Sequence, residues 1–139
     1  MKWFFDSHVW VSALATRGLC AELMALVLRH QTGGELDLFV SAAVRAEVRR
    51  ILRDKFRAGP DDLGAAEATM ALATTAEPAP WQPPPGFPDP DDAPLVAAAL
   101  AARAERFVTG DQALLAIAAI DDLRFVDPRA AYTELRGLG

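Results

Sequence analysis

Asp89-Pro90-Asp91-Asp92-Ala93-Pro94-Leu95-Val96-Ala97-Ala98-Ala99-Leu100, followed soon by Arg106-Phe107-Val108-Thr109-Gly110-Asp111, is the stretch on which the fold turns. Three acids lead into a segment made almost wholly of Ala, Leu and Val. It reads as a buried helix from Asp92 to about Arg103, with Asp92 as its cap and Pro94 tolerated in the first turn. Its alanines permit close packing on a sheet. Arg106 to Thr109 then reads as a buried strand, and Asp111 to Ala118 as a short helix. Helix and strand alternate here, with an acid at each handover.

The same alternation extends in both directions. Residues 2–6 form a short apolar run, Trp3-Phe4-Phe5, ending in Asp6, and read as a buried first strand. Helices are expected over 8–15 and 19–31, the second carrying Leu19, Leu23, Leu26, Val27 and His30 at helical spacing and stopping at Gly33-Gly34. Leu36 to Val40 reads as a strand. Ser41 is placed to cap a helix over 42–56, whose Val44, Val48, Ile51 and Leu52 make one apolar stripe. After the Gly59-Pro60 break, Asp61 or Asp62 is expected to cap a helix running to about Thr75. At the far end, Leu123 to Val126 reads as the last strand, and Pro128 opens a terminal helix to about Arg136. Strands alternating with helices predict an α/β chain, a three-layer α/β/α sandwich around a mostly parallel sheet.

Seven of the ten prolines fall in residues 78–90, at Pro78, Pro80, Pro83, Pro84, Pro85, Pro88 and Pro90. Such a segment is stiff and extended and is barred from a central strand. It reads as a rigid loop inside one domain spanning residues 1–139, with room for a short edge strand near Trp81, and it delivers Asp89, Asp91 and Asp92. A linker between two domains is the alternative, but neither side is long enough for a comfortable domain.

Composition narrows the function classes. A chain of 139 residues, 52% hydrophobic and 24% charged, suits one sizeable core. Its apolar runs, such as the Ala-rich Leu95 to Ala102, are far short of the roughly 18 residues of a membrane span, so no membrane partner is expected. The start, Met1-Lys2-Trp3-Phe4-Phe5-Asp6, does not read as a signal peptide, and the single cysteine, Cys20, has no internal disulfide partner. A cytoplasmic location is the resulting expectation. A net charge of −5 argues against broad nonspecific nucleic-acid binding, while leaving room for a local basic strip of Arg45, Arg49, Arg50 and Arg53.

Asp6, Glu47, Asp92 and Asp111 are the candidates for chemistry. In an open α/β sheet, sites gather outside the carboxyl ends of the strands. Carboxylates brought together there repel one another and call for a cation. Each also has a plainer explanation. Asp6 can simply end a strand. Glu47, about 60° from Val44 around the helix, can pair with Arg50 at the i, i+3 spacing. Asp92 and Asp111 can be helix caps, although three acids in four residues exceed what one cap needs. Together the four describe an oxygen-only site suited to Mg²⁺ or Mn²⁺. His8 reads as structural or as a support to that site, because His30, the other histidine, lies at the end of a different helix. Trp3, Trp10 and Trp81 read as packing residues.

The order and surroundings of these acids resemble the PIN-domain ribonucleases, and most closely the VapC-like toxins of bacterial toxin–antitoxin pairs. Three segments carry the resemblance. Phe4-Phe5-Asp6-Ser7-His8-Val9-Trp10-Val11-Ser12-Ala13-Leu14 is similar to the family's opening strand and helix; Ser41 to Glu47 is similar to its acid-bearing helix; Asp89 through Asp111-Gln112-Ala113-Leu114-Leu115 has the acid cluster, small-residue helix and Val-Thr-Gly-Asp ending in register. The match spans about residues 3–127. It implies a metal-dependent endoribonuclease with Asp6, Glu47, Asp92 and Asp111 as metal-binding carboxylates and Mg²⁺ or Mn²⁺ as cofactor. It also implies auxiliary positions at Ser7 and Thr109, with Asp89 and Asp91 nearby, a cognate antitoxin as protein partner, and a homodimer. Counting back from Ala99 favours Asp92 over Asp91 as the ligand. His8 departs from the family, which commonly has Asn there. The enzyme alternatives fit poorly. A receiver needs a lysine after a late strand, and Lys2 and Lys55 are misplaced; a haloacid-dehalogenase-like phosphatase needs an Asp where His8 stands. The remaining alternative is a catalytically inert interaction module whose acidic cleft binds a basic partner segment.

Overall fold

Continuous apolar strands bury both faces, and they sit at the middle of this sheet. The computed structural model describes residues 1–138. Strand β1, Lys2–Phe5, buries Trp3, Phe4 and Phe5 completely. It pairs in parallel with β2, Asp37–Val40, on one side and with β4, Arg106–Val108, on the other. Strand β3 is Thr74–Thr75, β5 is Ala119–Ile120 and β6 is Leu123–Val126. The order across the sheet is β3-β2-β1-β4-β6-β5, parallel throughout except for the antiparallel pair β5–β6. Phe4 stacks on Phe107 at 5.3 Å between ring centroids, and Phe107 meets Phe125 at 5.2 Å, so one aromatic row crosses three neighbouring strands. Burying each such ring contributes roughly 1.5–3 kcal/mol relative to leaving it in water.

Among the described residues, seven helices complete the three-layer α/β/α arrangement: α1 Ser7–Ala15, α2 Leu19–Thr32, α3 Ala42–Lys55, α4 Pro60–Met70, α5 Ala93–Ala101, α6 Gln112–Ile117 and α7 Pro128–Arg136. Their starts follow from capping chemistry. Ser41 accepts from the Val44 N–H at the start of α3, and Asp127 accepts from the Ala130 N–H at the start of α7, with Pro128 in its first turn. Helix α5 is apolar nearly all round, and Leu95, Val96, Ala97, Ala98 and Ala99 are buried, as a helix pressed into the core requires. Cys20 is half-buried and packs at the edge of the core.

Three expectations need correction, and one strand was not expected. The helix after Gly59 ends at Met70, not near Thr75; Gly59 holds its cap position without a side-chain bond, and Thr74–Thr75 pair with Phe39 and Val40 as an edge strand. β-branched residues favour that extended pairing. No strand forms near Trp81. The edge strand lies just ahead of the Pro-rich segment, and Trp81 instead packs edge-on against Phe87 at 5.6 Å, tying residues 78–90 to the core. The helix expected from Asp92 to Arg103 is a 3-10 turn, Pro90–Asp92, followed by α5, and the turn is capped by Asp89 through the Asp91 N–H. Finally, Ala119–Ile120 form a strand that sequence reading missed. A two-residue turn, Asp121-Asp122, joins it to β6, with Asp121 at φ 51°. Acids at a tight hairpin tip tolerate that left-handed conformation and were the available clue.

Candidate metal centre

Leaving β1 toward β2 on one side, while β4 enters on the other, makes the gap between β1 and β4 the point where the sheet order reverses. Such a switch point leaves a crevice beyond the carboxyl ends of the strands. Asp6 is the first residue past β1, and its N–H donates to the Val108 carbonyl of β4 at 2.9 Å. Only 6% of Asp6 is exposed. Its Oδ1 accepts from the Ser7 N–H at 2.7 Å and its Oδ2 accepts from Thr109 Oγ1 at 2.7 Å. Burial pushes its carboxyl above the ordinary 3.8; those two hydrogen bonds and the nearby His8 pull it back, while Glu47 adds to the rise.

Thr109 joins the two strand ends. It is fully buried, and the hydroxyl that donates to Asp6 also accepts from the Asp111 N–H at 3.0 Å. Asp111 caps α6 by accepting from the Ala113 and Leu114 N–H groups, both at Oδ1. Its exposed carboxylate thus combines a cap with a place on the crevice wall. Ser7 is also fully buried, beside Asp6, and its Oγ has no hydrogen-bond partner in the protein.

Asp92 closes the 3-10 turn with its backbone already helical and makes no side-chain cap bond. Its carboxylate is therefore free for the crevice. It is half-buried and pushed up to about 6, first by burial and then by the charges of Asp6, Asp89, Asp111 and Glu47. The acids expected from four distant segments line one crevice, where their charges add to burial in disfavouring ionisation of Asp92. Asp89 and Asp91 are exposed and lie on the rim. The crevice has a volume of about 500 Å³, and Leu95 and Gly110 complete its lining.

His8 is where the structure goes beyond sequence reasoning. It is exposed and lines the crevice, so it is no packing residue. Ligand atoms of Asp6, His8 and Glu47 lie within 4.8 Å of one another. Its position two residues after Asp6, on the first turn of α1, let it approach the site, but its entry into the crevice depends on the side chain's direction, which spacing does not give. The arginines fare differently. Arg49 approaches Glu67 at 3.6 Å, Arg50 approaches Glu47 at 3.6 Å, Arg53 holds Asp54 at 2.9 Å and Arg45 donates to Thr75 Oγ1 at 3.3 Å. The i, i+3 pairing of Glu47 with Arg50 therefore coexists with its place in the crevice.

The donor set is carboxylate oxygens plus one imidazole, with no lysine or arginine among the described lining residues. That chemistry fits a divalent cation, which would relieve the mutual repulsion felt at Asp92. Asp6, Glu47, Asp92 and Asp111 all line the crevice where it would sit. A mostly parallel α/β sandwich with carboxylates gathered at its switch point is an arrangement that a divalent cation fits. The PIN-domain family model matches residues 2–113, and the chain belongs to that family, whose members are generally nucleases. The crystal structure of PAE2754 from Pyrobaculum aerophilum is similar in fold, with a TM-score of 0.60 over 99% of both chains at 18% sequence identity. No curated protein matches the chain. Among the described residues, no single helix is long and apolar enough to cross a membrane.

Proposed function

We propose that this chain is a metal-dependent endoribonuclease that hydrolyses RNA phosphodiester bonds with Mg²⁺ or Mn²⁺, and that it is the toxin of a toxin–antitoxin pair acting in the cytoplasm. The observation that carries the nuclease reading is the crevice itself. Buried Asp6, fixed by Thr109, faces Asp92, whose carboxyl is pushed up to about 6 by burial and the surrounding acids. The choice of RNA, of a cognate antitoxin and of a homodimer rests on the likeness of the three sequence segments to the VapC-like group.

A divalent ion held by such carboxylates lowers the pKa of a bound water and offsets charge on a leaving oxygen. The chain's own residues do the rest. Thr109 and the Ser7 N–H orient Asp6 so that lone pairs of both oxygens remain available to the crevice. Glu47, half-buried on α3, orients the attacking water. Arg49 and Arg50, exposed on the same helix, hold the RNA backbone by exchanging their carboxylate partners for phosphates. With the cation removed, the acidic crevice repels the polyanion.

Cleavage of a mixed RNA pool with Mn²⁺, Mg²⁺ or EDTA tests this, comparing wild type with Asp6→Ala and Asp92→Ala. Metal-dependent cutting lost in both folded variants is the expected result. A folded wild type that neither cuts nor binds either metal would overturn the reading in favour of an inert module whose crevice takes a basic segment.

A further inference from the structure

Every polar side chain lining the crevice is a carboxylate except His8. The ring projects from the first turn of α1 and is exposed, so packing does not fix its direction. One ligand atom each from Asp6, His8 and Glu47 already lie within 4.8 Å of one another. Donors bound to one ion at about 2.1 Å stand roughly 3 Å apart when adjacent and about 4.2 Å apart when opposite. Closing the observed spacing therefore needs small rotations of an exposed imidazole and of the long Glu47 side chain, while Asp6 stays fixed by its two hydrogen bonds. Sulfur, amine and guanidinium groups are missing from the described lining, so His8 alone sets the departure from an all-oxygen donor set.

We propose that His8 coordinates the ion directly beside Asp6 and Glu47, making a mixed nitrogen–oxygen centre that selects Mn²⁺, Co²⁺ or Zn²⁺ over Mg²⁺. This rests on reading the crevice as the metal centre of the nuclease. Mg²⁺ demands oxygen donors and gives up water reluctantly, whereas imidazole suits the later first-row ions, whose affinity for one site rises from Mn²⁺ through Co²⁺. Each carboxylate here is common to any acidic site; the imidazole is the discriminating group.

Calorimetric titration of the full chain with Mg²⁺, Mn²⁺, Co²⁺ and Zn²⁺, in wild type and His8→Asn, tests the assignment without RNA. Wild type is expected to bind Mg²⁺ most loosely. His8→Asn is expected to lose at least about tenfold in affinity for Co²⁺ and Zn²⁺, since even residues that only support a metal ligand are worth that much. Its Mg²⁺ affinity stays near wild type. An equal change for all four ions, no change, or a gain for every ion would overturn the proposal. Imidazole nitrogen spectra give a second readout: Zn²⁺ should shift the ring signals of His8 and leave those of His30 in place. Unmoved His8 signals at saturation would overturn it even if the variant misfolds. RNA cutting, measured in parallel, separates the two readings. Selective metal binding without cutting sinks the nuclease alone, and Mg²⁺-preferring cutting indifferent to His8→Asn sinks the His8 assignment alone.

Discussion

A carboxylate kept from water needs donors, and the Thr109 hydroxyl gives Asp6 one of its two. Thr109→Val keeps the shape and deletes the donor, leaving a buried acceptor short of a bond. The expected cost is about 1–3 kcal/mol in urea unfolding, restored by Thr109→Ser, which keeps the hydroxyl. Equal stability of all three proteins would show that Asp6 finds other partners. Asp92 gives a pH dependence. Its carboxyl lies at about 6 instead of 3.8, so the folded chain prefers the protonated acid. Ionising it therefore costs stability, a loss that starts near 3.8 and is complete above about 6. With EDTA present, the melting temperature of Asp92→Asn minus that of wild type should grow from pH 4 to pH 7. A flat difference would mean that neither burial nor the neighbouring acids penalise the charge. That four distant acids line one crevice was legible from their places: Asp6, Asp92 and Asp111 stand at element boundaries, and Glu47 borders the apolar stripe of α3. That Asp92 leaves its cap to Asp89, and that His8 points into the crevice, were not, because both depend on the side chain's direction and not on its spacing.

Elements long enough to show a period were readable; elements of two residues were not. Helix α3 carries its apolar stripe through Val44, Val48, Ile51 and Leu52, and its cap Ser41 is in place. Strands β3 and β5 have two residues each, too few to alternate, and they form because neighbouring strands offer unpaired backbone groups. Helix α5 makes a sharper claim. Val96, Ala98 and Ala99 are fully buried, so its small side chains set how closely it lies on its neighbours. Ala98→Leu should overpack that surface and cost about 1–3 kcal/mol by urea denaturation. It should also weaken metal binding, since Asp92 immediately precedes this helix. A variant within about 0.5 kcal/mol of wild type would place α5 against a yielding surface.

Across the whole molecule the charges separate: acids fill the crevice, while Arg49 and Arg50 lie exposed on α3 in long, solvent-facing ion pairs. Such pairs contribute little to stability, so releasing them toward phosphate costs little. Arg49→Glu with Arg50→Glu should leave melting nearly unchanged and weaken RNA binding. It should also lower the slope of log K against log salt by about 0.7 for each phosphate of a single strand that is no longer neutralised. An unchanged slope would remove the two arginines from the RNA path. The six-stranded sheet closes itself off in another way. One rim is the two-residue strand Thr74–Thr75, cut short by the proline-rich segment that begins at Pro78; the other is Ala119–Ile120, folded back on β6 by a hairpin. Neither rim offers a second molecule enough backbone to zip onto. Growth of this sheet from chain to chain, the first step toward fibres, is blocked at both ends.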